Sequence, residues 1–117
     1  MIGYLLCLSL FVQFSTAHSP SDITLAFDSK TQVLDVTVLH RVNKIAQHFI
    51  DKIIVELNGE KIVEQTFLIQ RNDEKQEACY IIPGADIGDE LKVIGYCSIS
   101  GKKIKTLTIS PSEPGEE

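Results

Sequence analysis

Residues 36–53, with the sequence VTVLHRVNKIAQHFIDKI, decide how the chain is interpreted. This stretch holds two apolar runs of strand type, one ending at His40 and the other opening at His48, with a polar loop between them. Val36 and Val38 are separated by a single residue, which is the period of a strand with one buried face. His40 continues this row, so we expect its side chain to point inward at the end of the strand.

Short apolar runs separated by turn residues continue in both directions from this stretch. They predict seven strands, within residues 23–27, 33–40, 48–57, 60–69, 78–82, 90–97 and 103–109. Asn58-Gly59, between the third and fourth runs, is a dipeptide typical of a two-residue hairpin turn. Because the runs are short, regularly punctuated and without helical periodicity, we expect an all-β protein, an immunoglobulin-like antiparallel β-sandwich of about seven strands.

The length and charge of the chain limit its architecture and its partners. A chain of 117 residues is long enough for one hydrophobic core and short for two ordinary domains. Acidic residues outnumber basic ones, 16 to 11, which gives a formal net charge of -5. This balance argues against nucleic acid or an anionic membrane as the main partner, so we expect a small soluble ligand or a protein.

Residues 1–17, MIGYLLCLSLFVQFSTA, have the character of a secretory signal peptide. They hold no charged side chain, contain one apolar run, and end in small residues up to Ala17. The run is shorter than the roughly 20 residues of a membrane-spanning helix, which favours cleavage after Ala17 over retention as an anchor. We therefore expect a periplasmic or secreted protein without a membrane segment, with a sandwich domain at residues 18–110 and a disordered tail, poor in apolar residues, at 111–117.

The expected strand directions bring the three histidines of the chain together. If successive strands alternate in direction, the start of the first strand, the end of the second, the start of the third and the end of the sixth lie at one pole of the sandwich. These four places hold His18, His40, His48 and Cys97. Imidazole and thiolate are ligands of iron, copper and zinc, so the sequence predicts a metal site. The other interpretation is that the histidines are ordinary surface or core residues.

The cysteines and His18 leave two further interpretations open. Cys79 and Cys97 stay in the chain when Cys7 leaves with the signal peptide. In an oxidising compartment such a pair is typical of a disulfide, which stabilises a small domain by roughly 2–4 kcal/mol and would indicate a metal-free immunoglobulin-like binding module. Cleavage before His18 would give this residue a free amine, which chelates copper together with the imidazole and would indicate a copper-binding carrier.

Several features in combination resemble one family of metalloproteins. A strand ends in His40, a loop leads to a second histidine in HFIDKIIVEL (residues 48–57), and GYCSISG (residues 95–101) precedes the final strand. In this combination, nearly all of the mature chain resembles the iron-binding domain of superoxide reductases and desulfoferrodoxins. The resemblance implies an immunoglobulin-like sandwich that holds one iron ion between imidazoles and an axial thiolate. The ligands that it implies are His18, His40, His48 and Cys97.

The resemblance also implies an activity and its partners. Superoxide reductases convert superoxide to peroxide, so we expect a small anion such as superoxide as substrate and an electron-donor protein as partner. Four cations fall in loops at the same predicted pole, where they would either be simply solvated or guide an anion to the site: Arg41, Lys44, Lys102 and Lys103. Two positions depart from the family pattern, since Ser100 replaces a histidine and Arg41 replaces a common proline. The thiosulfate-oxidation carrier proteins have a related sandwich without needing iron, so the fold alone does not determine the activity.

Overall fold

The sandwich expected from the sequence is formed by residues 18–111, the part of the chain that the computed structural model describes. Its seven strands are β1 (Asp22–Asp28), β2 (Val33–Leu39), β3 (Ile50–Leu57), β4 (Glu60–Thr66), β5 (Lys75–Ile81), β6 (Glu90–Cys97) and β7 (Lys102–Thr108). One sheet has the strand order β1-β2-β5 and the other has the order β4-β3-β6-β7. All neighbouring strands are antiparallel, so the predicted antiparallel β-sandwich is confirmed.

Two sequence predictions concern the ends of the chain. The predicted signal peptide at residues 1–17 lies outside the described residues, as do residues 112–117 of the predicted tail. Pro111, the first residue of that tail, is exposed. Within residues 18–111, no helix is long and apolar enough to cross a membrane.

The hydrophobic core lies between the two sheets and follows the predicted alternation. On β2, the side chains of Leu34, Val36 and Val38 are each at most 1% exposed. Buried positions of the other sheet include Ile53, Val55, Leu91 and Val93. Burial of one such side chain contributes about 1.5–3 kcal/mol to stability. The sheets approach closely at Gly95, where a Cβ atom would lie 3.1 Å from Cγ1 of Val38.

The hairpin between β3 and β4 turns at the predicted dipeptide. Asn58 and Gly59 have φ angles of 50° and 87°, and positive values at both central residues are characteristic of the tight turn that joins antiparallel strands. The Asn58 side chain also accepts a hydrogen bond from the Glu90 N–H at 2.9 Å. This bond ties the hairpin to the start of β6 and helps to fix the register of the larger sheet.

The fourth and fifth strands have different bounds from those predicted. β4 ends at Thr66 instead of continuing through the apolar residues that follow, and β5 begins at Lys75, before the apolar run ACYII. β5 begins early because Lys75 pairs with Leu39, so the neighbouring strand β2 provides partners beyond the apolar run. β4 ends early because the chain then turns Gln70 into the interior, where its side chain is 1% exposed and hydrogen-bonded.

Four strand ends meet at one pole of the sandwich, which we call the site pole. In the smaller sheet, Asp22 at the start of β1 pairs with Leu39 at the end of β2. In the larger sheet, Ile50 at the start of β3 pairs with Cys97 at the end of β6. A register shift between Ile50 and Lys52 marks a bulge at this end of β3, a feature that often redirects side chains beside functional sites. The predicted convergence of these four ends is therefore confirmed.

Candidate metal centre

His40 occupies the first position after β2 and is 1% exposed. It continues the inward-facing row of the strand, as predicted, and its backbone N–H donates to the Glu74 carbonyl at 2.9 Å. Its Nδ1 lies 3.0 Å from Oε1 of Gln70, and its Nε2 lies 3.2 Å from the His18 carbonyl oxygen. Both nitrogens of this buried ring therefore face polar groups of the protein.

His48 is presented by a single turn within the loop between β2 and β3. Its backbone N–H donates to the Lys44 carbonyl at 3.0 Å, which closes this turn. The next residue, Phe49, forms two hydrogen bonds with Ser98: its N–H donates to the Ser98 hydroxyl at 3.2 Å, and its carbonyl accepts from the Ser98 N–H at 2.8 Å. Because Ser98 follows Cys97, these bonds hold the imidazole of His48 close to the thiol.

His40, His48 and Cys97 form a compact group of metal-ligating side chains. One ring nitrogen of each imidazole and Sγ of Cys97 all lie within 4.8 Å of one another. Around a tetrahedral zinc ion, with metal–ligand distances of about 2.0–2.3 Å, ligand atoms are about 3.3–3.8 Å apart. A small contraction of these three side chains brings them to such distances, so the group could hold a metal ion.

The ring of His48 is half-buried, and its Nε2 is fully buried without a hydrogen-bond partner in the described structure. Burial lowers the pKa of His48, and the neighbouring imidazoles of His40 and His18 lower it further. A neutral imidazole retains a lone pair for a metal ion, whereas an imidazolium has none. The environment of His48 therefore favours the form that can act as a ligand.

His18 lies beside this group but does not belong to it. Its ring centroid is 5.4 Å from that of His40 and 5.6 Å from that of His48. The residue is exposed, and its Nδ1 lies 3.2 Å from the Ser19 carbonyl oxygen. The prediction that all three histidines meet is therefore confirmed, while the role of His18 as a ligand stays a prediction.

The two cysteines among residues 18–111 have different environments. Cys97 is 7% exposed at the end of β6, and its Sγ accepts a hydrogen bond from the Ile99 N–H at 3.4 Å. Cys79 is exposed on β5, in the other sheet, where a hydrogen bond with Asp35 and the negative charge of that carboxylate raise the pKa of its thiol. Both cysteines are free. The alternative of a Cys79–Cys97 disulfide is not met in the structure, because Cys97 is buried whereas Cys79 is exposed on the outer face of its sheet.

The connection between β6 and β7 carries Ser100, one of the two positions that depart from the expected family pattern. Ser100, which stands in place of a histidine, is exposed in this connection. The next residue, Gly101, has a φ angle of 90°, and a Cβ atom there would lie 3.0 Å from Cα of Ser19. The segment that carries His18 therefore passes directly over this turn.

A groove of about 660 Å³ opens beside His18 and His48. Arg41 and Lys44 supply positive charge to its lining, and Ile99 supplies an apolar side chain. The predicted position of these two cations near the histidines is thus confirmed. The closest ion pair of Arg41, with Glu74, spans 3.8 Å between side chains that are both largely exposed, so it weakens the local charge only slightly.

The other two predicted cations lie away from this groove. Lys102 and Lys103 are the first two residues of β7 and do not line the groove. The Lys102 ammonium group lies 5.8 Å from the centroid of the Tyr96 ring. The two lysines lie at the predicted pole, since Lys102 pairs with Tyr96 next to Cys97, but they belong to β7 instead of a loop and do not line the groove.

Gln70 belongs to the site but was not found from the sequence. Its side chain is 1% exposed and contacts the imidazole of His40. The sequence offers only a weak signal for this role, namely a glutamine at the end of the apolar run TFLIQ (residues 66–70), just before a charged loop. A buried position for such a residue is decided by the backbone groups that it meets, which are distant along the chain.

Comparisons with known proteins do not assign the chain to a family. No protein-family model matches it, and no curated protein sequence matches it. The functional interpretation therefore depends on the group of side chains at the site pole.

Proposed function

We propose that this protein is an exported mononuclear metal protein that binds iron through His40, His48 and Cys97, with His18 as an additional ligand, and that reduces superoxide to peroxide. The observation that carries the proposal is the convergence of two imidazoles and a thiol, from three separate segments, within 4.8 Å. The resemblance of the sequence to superoxide reductases supports iron as the metal and superoxide as the substrate.

The unpartnered nitrogen of His48 gives this proposal an energetic argument. A buried polar atom without a partner costs about 1–3 kcal/mol, and Nε2 of His48 is such an atom within the described residues. Coordination of a metal ion is one way in which a buried imidazole nitrogen is satisfied. The thiol of Cys97 and the ring of His40 lie close enough to join the same coordination shell after a small contraction.

The types of ligand agree with a redox-active metal. Imidazole suits iron, copper and zinc, and a thiolate shifts the preference toward softer ions. Iron bound here in its ferrous form would supply one electron to superoxide, which takes up two protons and becomes hydrogen peroxide. Cys97, as a thiolate, would contribute negative charge that favours the oxidised state of such an ion.

The groove beside the histidines would admit the substrate. Arg41 and Lys44 provide positive charge at its mouth, although the whole chain carries a net charge of -5. Local cations of this kind raise the concentration of a small anion near a site, and their effect decreases with ionic strength. The rate of reaction with superoxide should therefore decrease as salt is added.

The experiment that tests the proposal is metal analysis of the exported protein, combined with its optical spectrum. The full-length gene is expressed with a carboxy-terminal tag, the protein is purified without oxygen, and its intact mass identifies the first residue. We expect His18 as that residue, about one iron per chain, and a visible thiolate-to-iron absorption band after oxidation. Such a protein is then assayed for superoxide consumption.

Cys97→Ser and Cys79→Ser form a matched pair for this experiment. Cys97→Ser should abolish the visible band, whereas Cys79→Ser should leave it unchanged because Cys79 lies exposed on the other sheet. If the protein binds copper instead of iron, and loses this copper when one residue is added before His18, the copper-carrier alternative is favoured. Protein that binds no metal even when iron is supplied would refute the proposal.

A further inference from the structure

Gln70 makes hydrogen bonds through both ends of its side-chain amide. Its Nε2 donates to the carbonyl oxygens of His40, at 2.8 Å, and Asn72, at 2.9 Å. Its Oε1 accepts from the Ile50 N–H at 3.0 Å and lies 3.0 Å from Nδ1 of His40. The amide thereby links the end of β2, the start of β3 and the loop after β4.

These backbone partners allow only one orientation of the amide. A carbonyl oxygen can only accept a hydrogen bond, so the atom that faces His40 O and Asn72 O must be the NH₂ group. The Ile50 N–H can only donate, so the atom that faces it must be the amide oxygen. Rotation of the amide by 180° would place its oxygen against the two carbonyl oxygens and its NH₂ group against the Ile50 N–H. Both arrangements are repulsive, so Oε1 faces His40.

The fixed oxygen determines the tautomer of His40. Oε1 of Gln70 and the His18 carbonyl oxygen are both acceptors, and a neutral ring can donate to only one of them. The contact with Gln70 is the shorter, 3.0 Å against 3.2 Å, and is buried, so Nδ1 of His40 carries the hydrogen. A neutral imidazole holds only one N–H, so its Nε2 then has a free lone pair. That nitrogen lies 3.2 Å from the His18 carbonyl oxygen, which is itself an acceptor and offers it no proton.

We propose that Gln70 is a positioning residue that holds His40 in its Nδ1–H form and makes Nε2 the nitrogen offered to the metal ion. The inference rests on the proposed metal-binding function. Histidine ligands usually donate their second N–H to a neighbouring acceptor, and loss of that acceptor typically weakens metal binding by about 10- to 100-fold. Binding through Nε2 replaces its contact with the His18 carbonyl.

The tautomer is measured first, on metal-free wild-type protein labelled with ¹⁵N. Long-range ¹H–¹⁵N correlation spectra, recorded in alkaline buffer where imidazole is neutral, distinguish the protonated nitrogen from the free one. We expect hydrogen on Nδ1 of His40 and a free Nε2, and addition of Zn²⁺ should shift the Nε2 resonance most. Hydrogen on Nε2 would overturn the inference.

Zinc affinity is then compared between Gln70→Met and Gln76→Met, by competition with a chromophoric chelator. Methionine matches the length of glutamine but has no amide. Gln76 is the matched control because it is 3% exposed and secures the same loop through Ile69 and Arg71, without contacting His40. We expect affinity about 10- to 100-fold weaker for Gln70→Met and close to that of the wild type for Gln76→Met.

The outcomes separate this inference from the proposed function. Equal loss of affinity in both variants would show that order in the loop matters, not the contact with His40, and would overturn the role of Gln70. Unchanged affinity in Gln70→Met would do the same while the proposed metal binding stands. A wild-type protein that binds neither zinc nor iron would refute the proposed function, while the metal-free spectrum would still decide the tautomer of His40.

Discussion

The imidazole rings of His40 and His48 lie 4.8 Å apart between centroids and are inclined at 82° to each other. His40 is held by Gln70, whereas Nε2 of His48 has no partner among residues 18–111. The two rings therefore differ in what they contribute to the metal-free fold. His40 is part of a hydrogen-bond network, and His48 is an exception to the satisfaction of buried polar atoms.

His48→Leu should separate stability from metal binding. The substitution removes the unpartnered Nε2 and breaks no hydrogen bond of the described ring, so the free energy of unfolding of the metal-free protein should be unchanged or higher by up to about 1 kcal/mol. Metal affinity should decrease by at least about 100-fold, because one of three converging ligands is lost. Urea unfolding with a chelator present, together with metal titration, measures both quantities. A decrease in stability above about 1 kcal/mol would contradict this interpretation.

Gly101→Ala should disturb the site through the segment that carries His18. A Cβ atom at Gly101 would lie 3.0 Å from Cα of Ser19, and the φ angle of 90° strains any residue with a side chain. Gly88→Ala is the matched control, since Gly88 has a φ angle of 92° and has nothing within 4 Å of its added Cβ. This strain should lower the free energy of unfolding by about 1–3 kcal/mol in both variants, which urea unfolding measures.

Only Gly101→Ala should also change the contact between Nε2 of His40 and the His18 carbonyl. The position of His18 is followed by the imidazole resonances in the metal-free protein, and metal affinity is measured in parallel. Equal resonances in wild-type and Gly101→Ala protein would show that the segment tolerates the added methyl group without moving.

Ser100→His should strengthen metal binding if the resemblance to superoxide reductases extends to this position. Ser100 is exposed in the connection between β6 and β7. It lies three residues after Cys97, so an imidazole at this position is attached close to a proposed ligand. A further ligand that contributes about 1.4 kcal/mol raises affinity tenfold. Ser29→His, in the turn between β1 and β2 at the opposite pole, serves as the control. Equal affinities for these two variants would argue against a ligand position at residue 100.

Tyr80 should make the fold sensitive to alkaline pH. Burial raises the pKa of Tyr80 to about 12, above the value of about 10 expected in the unfolded chain. The raised pKa belongs to the folded state. The contribution of Tyr80 to the free energy of unfolding is therefore fully present below about pH 10 and is lost as the pH rises to about 12. The ultraviolet absorption of phenolate should show Tyr80 ionising late, and Tyr80→Phe should flatten the decrease in the free energy of unfolding over this interval. Ionisation of Tyr80 near pH 10 would contradict the prediction.

Much of the fold could be predicted because its signals are local. The alternation of Leu34, Val36 and Val38 identifies a strand with one buried face, and Asn58-Gly59 identifies a hairpin, from a few neighbouring residues. Strand bounds were less predictable where pairing decided them. Lys75 joins β5 because Leu39 lies opposite, and no feature of Lys75 itself indicates this.

The candidate site also has features that the sequence predicts and features that only the folded chain decides. The sequence by itself determined that His18, His40, His48 and Cys97 stand at strand ends, and the alternation of antiparallel strands then determined that these ends share one pole. Only the tertiary structure decided that Cys97 is buried beside His40 and His48 while Cys79 is exposed on the other sheet. The bulge at the start of β3 and the packing between sheets determine these distances, and both arise from contacts between distant segments.

Gln70 shows most clearly what only the tertiary structure decided. Its partners are the backbone of His40, Asn72 and Ile50 and the ring of His40, of which only Asn72 is near it in sequence. Local sequence patterns carry the period of a strand and the type of a turn, since these depend on adjacent backbone angles. The state of an imidazole depends on which donors and acceptors surround it, and the folded chain alone brings those groups together.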